Sequence, residues 1–203
     1  MGTPEFAVPS LNAINNSEHQ LIAVVTAPDK ERGRGREVSF TPVKDYAVKN
    51  NLPVLQPEKL KDPEFIEQVR NLAPDLIIVI AFRILPREIF EIPRLGTFNV
   101  HGSLLPKYRG AAPIQWSLIN GDSETGLTTF FIQEKVDTGN IILQKKIAIE
   151  KDDNFGSLHD RLQSLSIDIV LETIKIIESG AIQLIKQDES QVSSAPKITK
   201  ENS

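Results

Sequence analysis

The chain has no cysteine among its 203 residues, which excludes a disulfide framework and any thiolate metal site. No apolar run approaches the roughly 20 residues that a membrane-spanning helix needs. The opening MGTPEFAVPS lacks the basic and apolar regions of a secretory signal. Positive charge is not in excess either: the net charge of −4 argues against bulk attraction to nucleic acid, though not against a local basic patch. No His, Asp or Glu cluster has metal-ligand spacing, so no metal is expected. There is no internal repeat, no low-complexity tract, and no G-x-G-x-x-G after a strand. A soluble cytoplasmic protein without a membrane partner is expected. At 40% hydrophobic residues, the length suits one large domain, or one domain and a tail.

What is present reads first as alternating strands and helices. Thr3-Pro4 marks a helix start that places Leu11 and Ile14 on one face. Residues 21–26 are apolar and β-branched, a buried strand. An irregular, charged stretch over 27–40 follows, then a helix from Thr41-Pro42 to Asn50 and a short strand at 53–55. Asp62-Pro63 opens a helix with Phe65, Val69 and Leu72 on its apolar face. Residues 75–81 include Leu-Ile-Ile-Val-Ile without polar alternation, as in a parallel strand buried on both faces. A short helix at 86–90 and a strand of the same kind at 96–101 complete an α/β layer with a Rossmann-like, mostly parallel sheet. Such a sheet normally begins with a strand, and the first one is expected to be missing from this sequence.

After residue 110 the pattern changes. A helix over 112–120 carries Trp116 on its apolar side, a core position. Strands at 126–132 and 141–149 flank a loop around Asp137 and form an antiparallel extension. A long amphipathic helix spans 156–179, with apolar residues at 158, 162, 165, 169 and 176. Residues 182–186 read as an edge strand, and 188–203 as a polar linker.

The chemistry concentrates at FNVHGSLLPKYRGAAP, residues 98–113. Asn99 and His101 lie two apart at the end of an apolar strand, which puts both side chains on one face. Ligand sites of open α/β sheets lie outside the carboxyl ends of the strands. An Asn and a His satisfied by loop backbone is the bland alternative. Asp137, in a D-T-G, reads by itself as a plain turn. The run from Asp29 to Arg36 holds four basic and two acidic residues, most simply a solvated loop.

Taken together, N-x-H-x-S-L-L-P, R-G-A-A-P-I and the downstream D-T-G resemble the 10-formyltetrahydrofolate-dependent formyltransferases. The matching stretches are MGTPEFAVPSL, APDKERGRGR with TPVK, LGTFNVHGSLLPKYRGAAPIQWSLINGDSETG and VDTGNI, and they extend over nearly the whole chain. Within that family the resemblance is to the branch that formylates the α-amine of methionine on initiator tRNA in translation initiation.

The resemblance implies that Asn99, His101 and Asp137 form the catalytic set. An amine attacks the formyl carbon and an oxyanion forms. Asn99 would donate to it, His101 would donate a second bond, and Asp137 would support the protonated histidine and the removal of the amine proton. Ser103, Leu104, Leu105 and Pro106 match the family's folate loop, where leucines can flank a flat pterin. The pterin pocket also uses the loop after the strand at 75–81. Here it reads Ala81-Phe82-Arg83-Ile84-Leu85-Pro86, one residue shorter than the commoner A-Y-G-x-I-L-P and with Arg in place of Gly. Arg32, Arg34 and Arg36 would meet the acceptor end of the tRNA through its phosphates. The resemblance implies 10-formyltetrahydrofolate as formyl donor, initiator methionyl-tRNA as substrate, and no obligate protein partner. It assigns 1–187 to the catalytic domain and 188–203 to a linker towards an absent tRNA-binding β-barrel domain.

Overall fold

The computed structural model describes residues 1–32 and 37–200, with 31–32 and 37–38 as backbone alone. The chain forms two compact units, Met1–Thr97 and Phe98–Ser203.

In the first unit Pro4 opens a 3-10 turn, Glu5–Ala7, that runs into α1 (Val8–Asn15). The cap predicted at Thr3 is not used. Pro9 sits in the first turn of α1, where its missing N–H costs nothing, and Ser10 and Ile14 form the buried face while Leu11 is half-buried. The predicted strand at 21–26 is regular only over β1 (Val24–Val25). Instead of irregular chain, 27–40 contains an antiparallel hairpin of β2 (Lys30–Arg32) and β3 (Glu37–Ser39).

The two Thr/Asp-Pro helix starts are where the sequence places them. Thr41 accepts from the Lys44 N–H at 3.0 Å and caps α2 (Pro42–Lys49), which buries Val43 and Ala47 against β1 and β4 (Val54–Leu55). Asp62 accepts from the Glu64 N–H at 3.0 Å and caps α3 (Pro63–Leu72). Phe65 and Val69 are buried, but Leu72, in the last turn, is 38% exposed. A left-handed Ala73 ends the helix there and turns the chain away. After β5 (Ile77–Ile80) comes the short α4 (Arg87–Phe90).

The sheet of this unit is parallel. β1 pairs with β4, Val24 opposite Val54. On the other side of β1, the Gly2 N–H donates to the Val25 carbonyl at 3.0 Å, and Gly2 bridges in parallel to Ile80. The Ile80 N–H returns to the Met1 carbonyl at 3.0 Å. Met1 and Gly2 thus lie between β1 and β5 and bond to both. A Cβ at Gly2 would lie 2.9 Å from both the Ala7 Cβ and the Ile80 carbonyl oxygen, so only glycine allows this approach.

In the second unit the longer strands pair antiparallel. β6 (Thr97–His101), from Phe98 onward, pairs antiparallel with β8 (Glu124–Phe131), Phe98 opposite Phe131 and His101 opposite Thr128. The connection through β7 (Arg109–Gly110) and α5 (Pro113–Ile119) returns the chain at the end of β6 it left, so no crossover is made. β8 pairs antiparallel with β9 (Ile141–Ala148), as predicted, with an irregularity at Thr129/Phe130.

Helix α6 (Phe155–Ser179) starts in a capping box of Asn154 and Ser157 and ends at Gly180. It packs on β8 and β9, burying Leu158, Leu162, Ile169, Val170, Ile174 and Ile177. Each such aliphatic side chain contributes roughly 1.5–3 kcal/mol. Leu158, Leu162 and Ile169 of the predicted face are fully buried, Leu165 and Ile176 are half-buried, and Ser166 and Thr173 also lie inside. Thr173 reaches the Thr129 hydroxyl at 2.8 Å and donates to the Ile169 carbonyl, which makes it affordable there.

The edge strand predicted at 182–186 is a single bridge, Ile185 to Ile141. The segment predicted as linker from 188 packs on the unit instead. A 3-10 turn, Glu189–Gln191, leads into β10 (Ser194–Ala195), which pairs in parallel with β7. Trp116 is half-buried rather than core, because its Nε1–H donates to the Pro196 carbonyl at 2.8 Å and holds this segment down.

Candidate active site

All three residues of the predicted catalytic set belong to the second unit. Asn99 and His101 project from β6 on one face, opposite Phe130 and Thr128. Their neighbours Phe98 and Val100 are buried on the other face. Asn99 is half-buried, and its side-chain amide has no hydrogen-bond partner among the described residues. A strand-borne amide left unpaired is free to bind a ligand.

His101 is 5% exposed. Its Nε2 lies 2.8 Å from the Tyr108 carbonyl oxygen. A carbonyl only accepts, so Nε2 carries the hydrogen and the neutral ring has its lone pair on Nδ1. Nδ1 faces Asp137, 3.8 Å from Oδ2. That is beyond a direct hydrogen bond but within the range of strong charge interaction in a dry site. The ring also stands edge-on to Phe130, 6.5 Å between centroids.

Asp137 adopts φ 56°, a left-handed conformation that Asp tolerates better than most residues. Its Oδ2 accepts the Gly110 N–H at 2.9 Å. Gly110 has φ +131°, and a Cβ there would come within 2.5 Å of the Ala195 carbonyl oxygen. The N–H that holds the carboxylate therefore comes from a position where glycine is required. His101 and Asp137, far apart in sequence, meet because β7 lies between them: Tyr108 fixes one and Gly110 the other.

The predicted folate loop is bound from within. The Ser103 hydroxyl donates to the Lys107 carbonyl at 2.6 Å, and the Ser103 carbonyl accepts from the Thr128 hydroxyl at 2.6 Å. The Leu105 N–H donates to Thr128 Oγ1 at 3.0 Å, and its carbonyl accepts from Gln144 at 2.9 Å. Leu105 is buried with Phe130 and Ile141, while Leu104 and Pro106, after a cis peptide, are half-buried. Of the two leucines only Leu104 retains an open side. Gly126 underlies it, since a Cβ there would lie 2.7 Å from the Leu104 Cδ2.

In the first unit, Arg83 of the shortened loop donates to the carbonyls of Pro57 at 2.7 Å and Glu58 at 2.9 Å. Burial lowers its pKa from the usual arginine value, and its Nε is buried without a partner. Arg32 ends β2; its side chain, and Arg34 and Arg36 altogether, lie outside the described residues. Among the described residues no group of His, Asp and Glu could hold a metal ion.

A formyl transferase family model matches residues 1–174 of this chain. The chain belongs to the formyl transferase family. It is 51% identical to the methionyl-tRNA formyltransferase of Flavobacterium johnsoniae, over all of this chain and 64% of that protein. To the methionyl-tRNA formyltransferase of Acetivibrio thermocellus it is 49% identical, over 98% of this chain and 65% of the relative. The chain thus spans less than two thirds of the length of these relatives. Among solved structures, an N-formyltransferase from Helicobacter canadensis, in complex with folinic acid and dTDP-3-aminofucose, superposes with a TM-score of 0.75 at 25% identity. That match covers 97% of this chain and 69% of the other. The phosphoribosylglycinamide formyltransferase of Bacillus halodurans shares the fold, with a TM-score of 0.73, over 89% of this chain and 94% of the other.

For a formyl transferase, a strand ending in an unpaired amide and a tautomer-fixed imidazole beside a carboxylate is a chemically apt site. The family match stops at 174, yet Gln187 bonds the Asp137 carbonyl and Ala195 pairs with Gly110. Sequence reasoning missed Tyr108, Gly110, Thr128 and Gln187. The first two stand in the family block and could have been marked there. A lone Gln in a polar stretch carries no signal.

Proposed function

We propose that this protein transfers the formyl group of 10-formyltetrahydrofolate to the α-amine of methionine on initiator tRNA, in the cytoplasm. The observation that carries this reading is the identity of 51% to a methionyl-tRNA formyltransferase across the whole chain. The unpaired Asn99 amide and the His101–Asp137 pair support it chemically.

The reaction needs three services from the chain. The attacking amine must lose a proton, the carbonyl oxygen must be stabilised as it becomes an oxyanion, and N10 must gain a proton as it leaves. The Asn99 amide donates to the oxyanion. His101 Nδ1 takes the amine proton, since Nε2–H is held by Tyr108. Asp137 then faces an imidazolium and stabilises it until the proton passes to N10. Proton and formyl group balance: the amine exchanges one hydrogen for the formyl group, and the folate nitrogen the reverse.

Ser103 and Leu105 shape the folate loop, and the half-buried Leu104 and Pro106 are its apolar wall. Arg32, Arg34 and Arg36 contact tRNA phosphates. The pairing of β10 with β7 and the Trp116 hydrogen bond to Pro196 support a catalytic unit that extends past 187. Incubation with labelled formyl donor and charged initiator tRNA tests the whole reading. Formyl on the methionine amine is the expected product. Transfer only to a small amine, such as an amino sugar nucleotide or glycinamide ribonucleotide, would overturn it.

A further inference from the structure

Asp137 depends on a residue that the proposed mechanism does not use. The Gln187 side chain, 5% exposed, is bonded at both ends. Its Nε2 donates to the Asp137 carbonyl at 2.9 Å and to the Gly139 carbonyl at 2.8 Å. Its Oε1 accepts from Arg109 Nε at 3.0 Å and Nη2 at 2.8 Å. The amide orientation is decided by its partners, because two carbonyls need a donor and a guanidinium needs an acceptor. Arg109 is pinned in turn by Glu189, at 2.8 Å from Nη2 to Oε1.

These contacts close a ring of interactions. Gln187 joins the Asp137 turn to Arg109. The next residue, Gly110, holds the Asp137 carboxylate, and the preceding residue, Tyr108, holds His101 Nε2. Asp137 is thus fixed through its side chain by Gly110 and through its main chain by Gln187. Its left-handed backbone would relax if either hold were lost.

We propose that Gln187 is a positioning residue for the reaction: it sets the distance and direction of the Asp137 carboxylate relative to His101, acting through the backbone of the Asp137 turn. This rests on the catalytic reading given above. No substrate contact is assigned to Gln187 itself.

The test uses two variants of the chain. Gln187→Met keeps the side-chain length and removes both holds. Gln187→Glu keeps the acceptors for Arg109 but sets a carboxylate against two carbonyls. The inference expects both to lower single-turnover formyl transfer about tenfold or more, with KM for donor and tRNA within about twofold. A merely structural tie through Arg109 would instead be preserved in Gln187→Glu, so wild-type turnover in that variant would overturn the inference. A double-mutant cycle covers the case in which one variant does not fold. In an Asp137→Asn background, the remaining Gln187 substitution should cost nothing further, whereas an additive loss would remove the coupling. Absence of formyl transfer by the unsubstituted protein would count against the catalytic reading. Normal transfer with insensitive Gln187 variants would count against the positioning role alone.

Discussion

The family resemblance assigns roles to two polar loops, and they are held in different ways. The turn around Asp137 is tied at its carboxylate by Gly110, at its backbone by Gln187, and again at Gly139. For the hairpin of β2 and β3, the ties among the described residues lie at its base. There Asp29 takes the Lys44 ammonium and the Gln56 amide, and the Thr26 and Thr41 hydroxyls meet at 2.8 Å. The contrast follows from what each loop is proposed to do. A carboxylate serving a histidine works only at one distance, because proton transfer and charge stabilisation fall off steeply with misplacement. Arginines meeting a phosphate backbone need charge and reach more than a single geometry.

The sharpest way to break this comparison is to exchange the expected phenotypes. Asn99→Ala should lower turnover by more than about a hundredfold, by loss of an oxyanion donor, while tRNA affinity stays unchanged. Wild-type turnover in that variant would remove Asn99 from the set. Substituting Arg32, Arg34 and Arg36 together by Gln should do the opposite. Binding of tRNA weakens, and the slope of log affinity against log salt flattens by about two to three, while turnover at saturating tRNA persists. Titrations at several salt concentrations would read this, and an unchanged slope would sink the contact.

A smaller effect is expected beneath the folate loop. Thr128 is fully buried and serves the Ser103 carbonyl, the Leu105 N–H and the Gln144 amide at once. Thr128→Val keeps the shape and strands those groups, at a cost of about 1–3 kcal/mol in denaturant unfolding. A variant as stable as the parent would mean that the loop is not held from below.

The smallest effect concerns the hairpin base. The hydrogen bond from Lys44, then that from Gln56, holds the Asp29 carboxyl below its ordinary value. A depressed folded-state pKa stabilises the fold above the ordinary carboxylate range, and this contribution is lost as pH falls through the lowered value. Lys44→Met should therefore flatten the acid limb of stability slightly, as read by thermal unfolding across pH. An unaltered limb would show that Asp29 adds nothing to the hairpin.

Much of the first unit was readable because its signals are local. Thr41-Pro42 and Asp62-Pro63 specify helix starts within one turn of chain, and an apolar run such as Ile77–Ile80 has few fates other than a buried strand. Asn99 and His101 were readable for the same reason, since strand period alone puts them on one face. Their union with Asp137 was not local. Nothing in D-T-G distinguishes a plain turn from one whose carboxylate is met by Gly110.

The sequence by itself therefore determined the α/β class, the helix caps at Thr41 and Asp62, the long amphipathic helix, and the shared face of Asn99 and His101. Each of these follows from contacts within a few residues, where propensity and periodicity act. Only the tertiary structure decided that β6 pairs antiparallel with β8, that the segment after residue 187 folds back onto β7, and that Tyr108, Gly110 and Gln187 fix the histidine and the carboxylate. Those outcomes depend on hydrogen-bond partners far apart along the chain, and such pairings leave no periodic trace in the residues that make them.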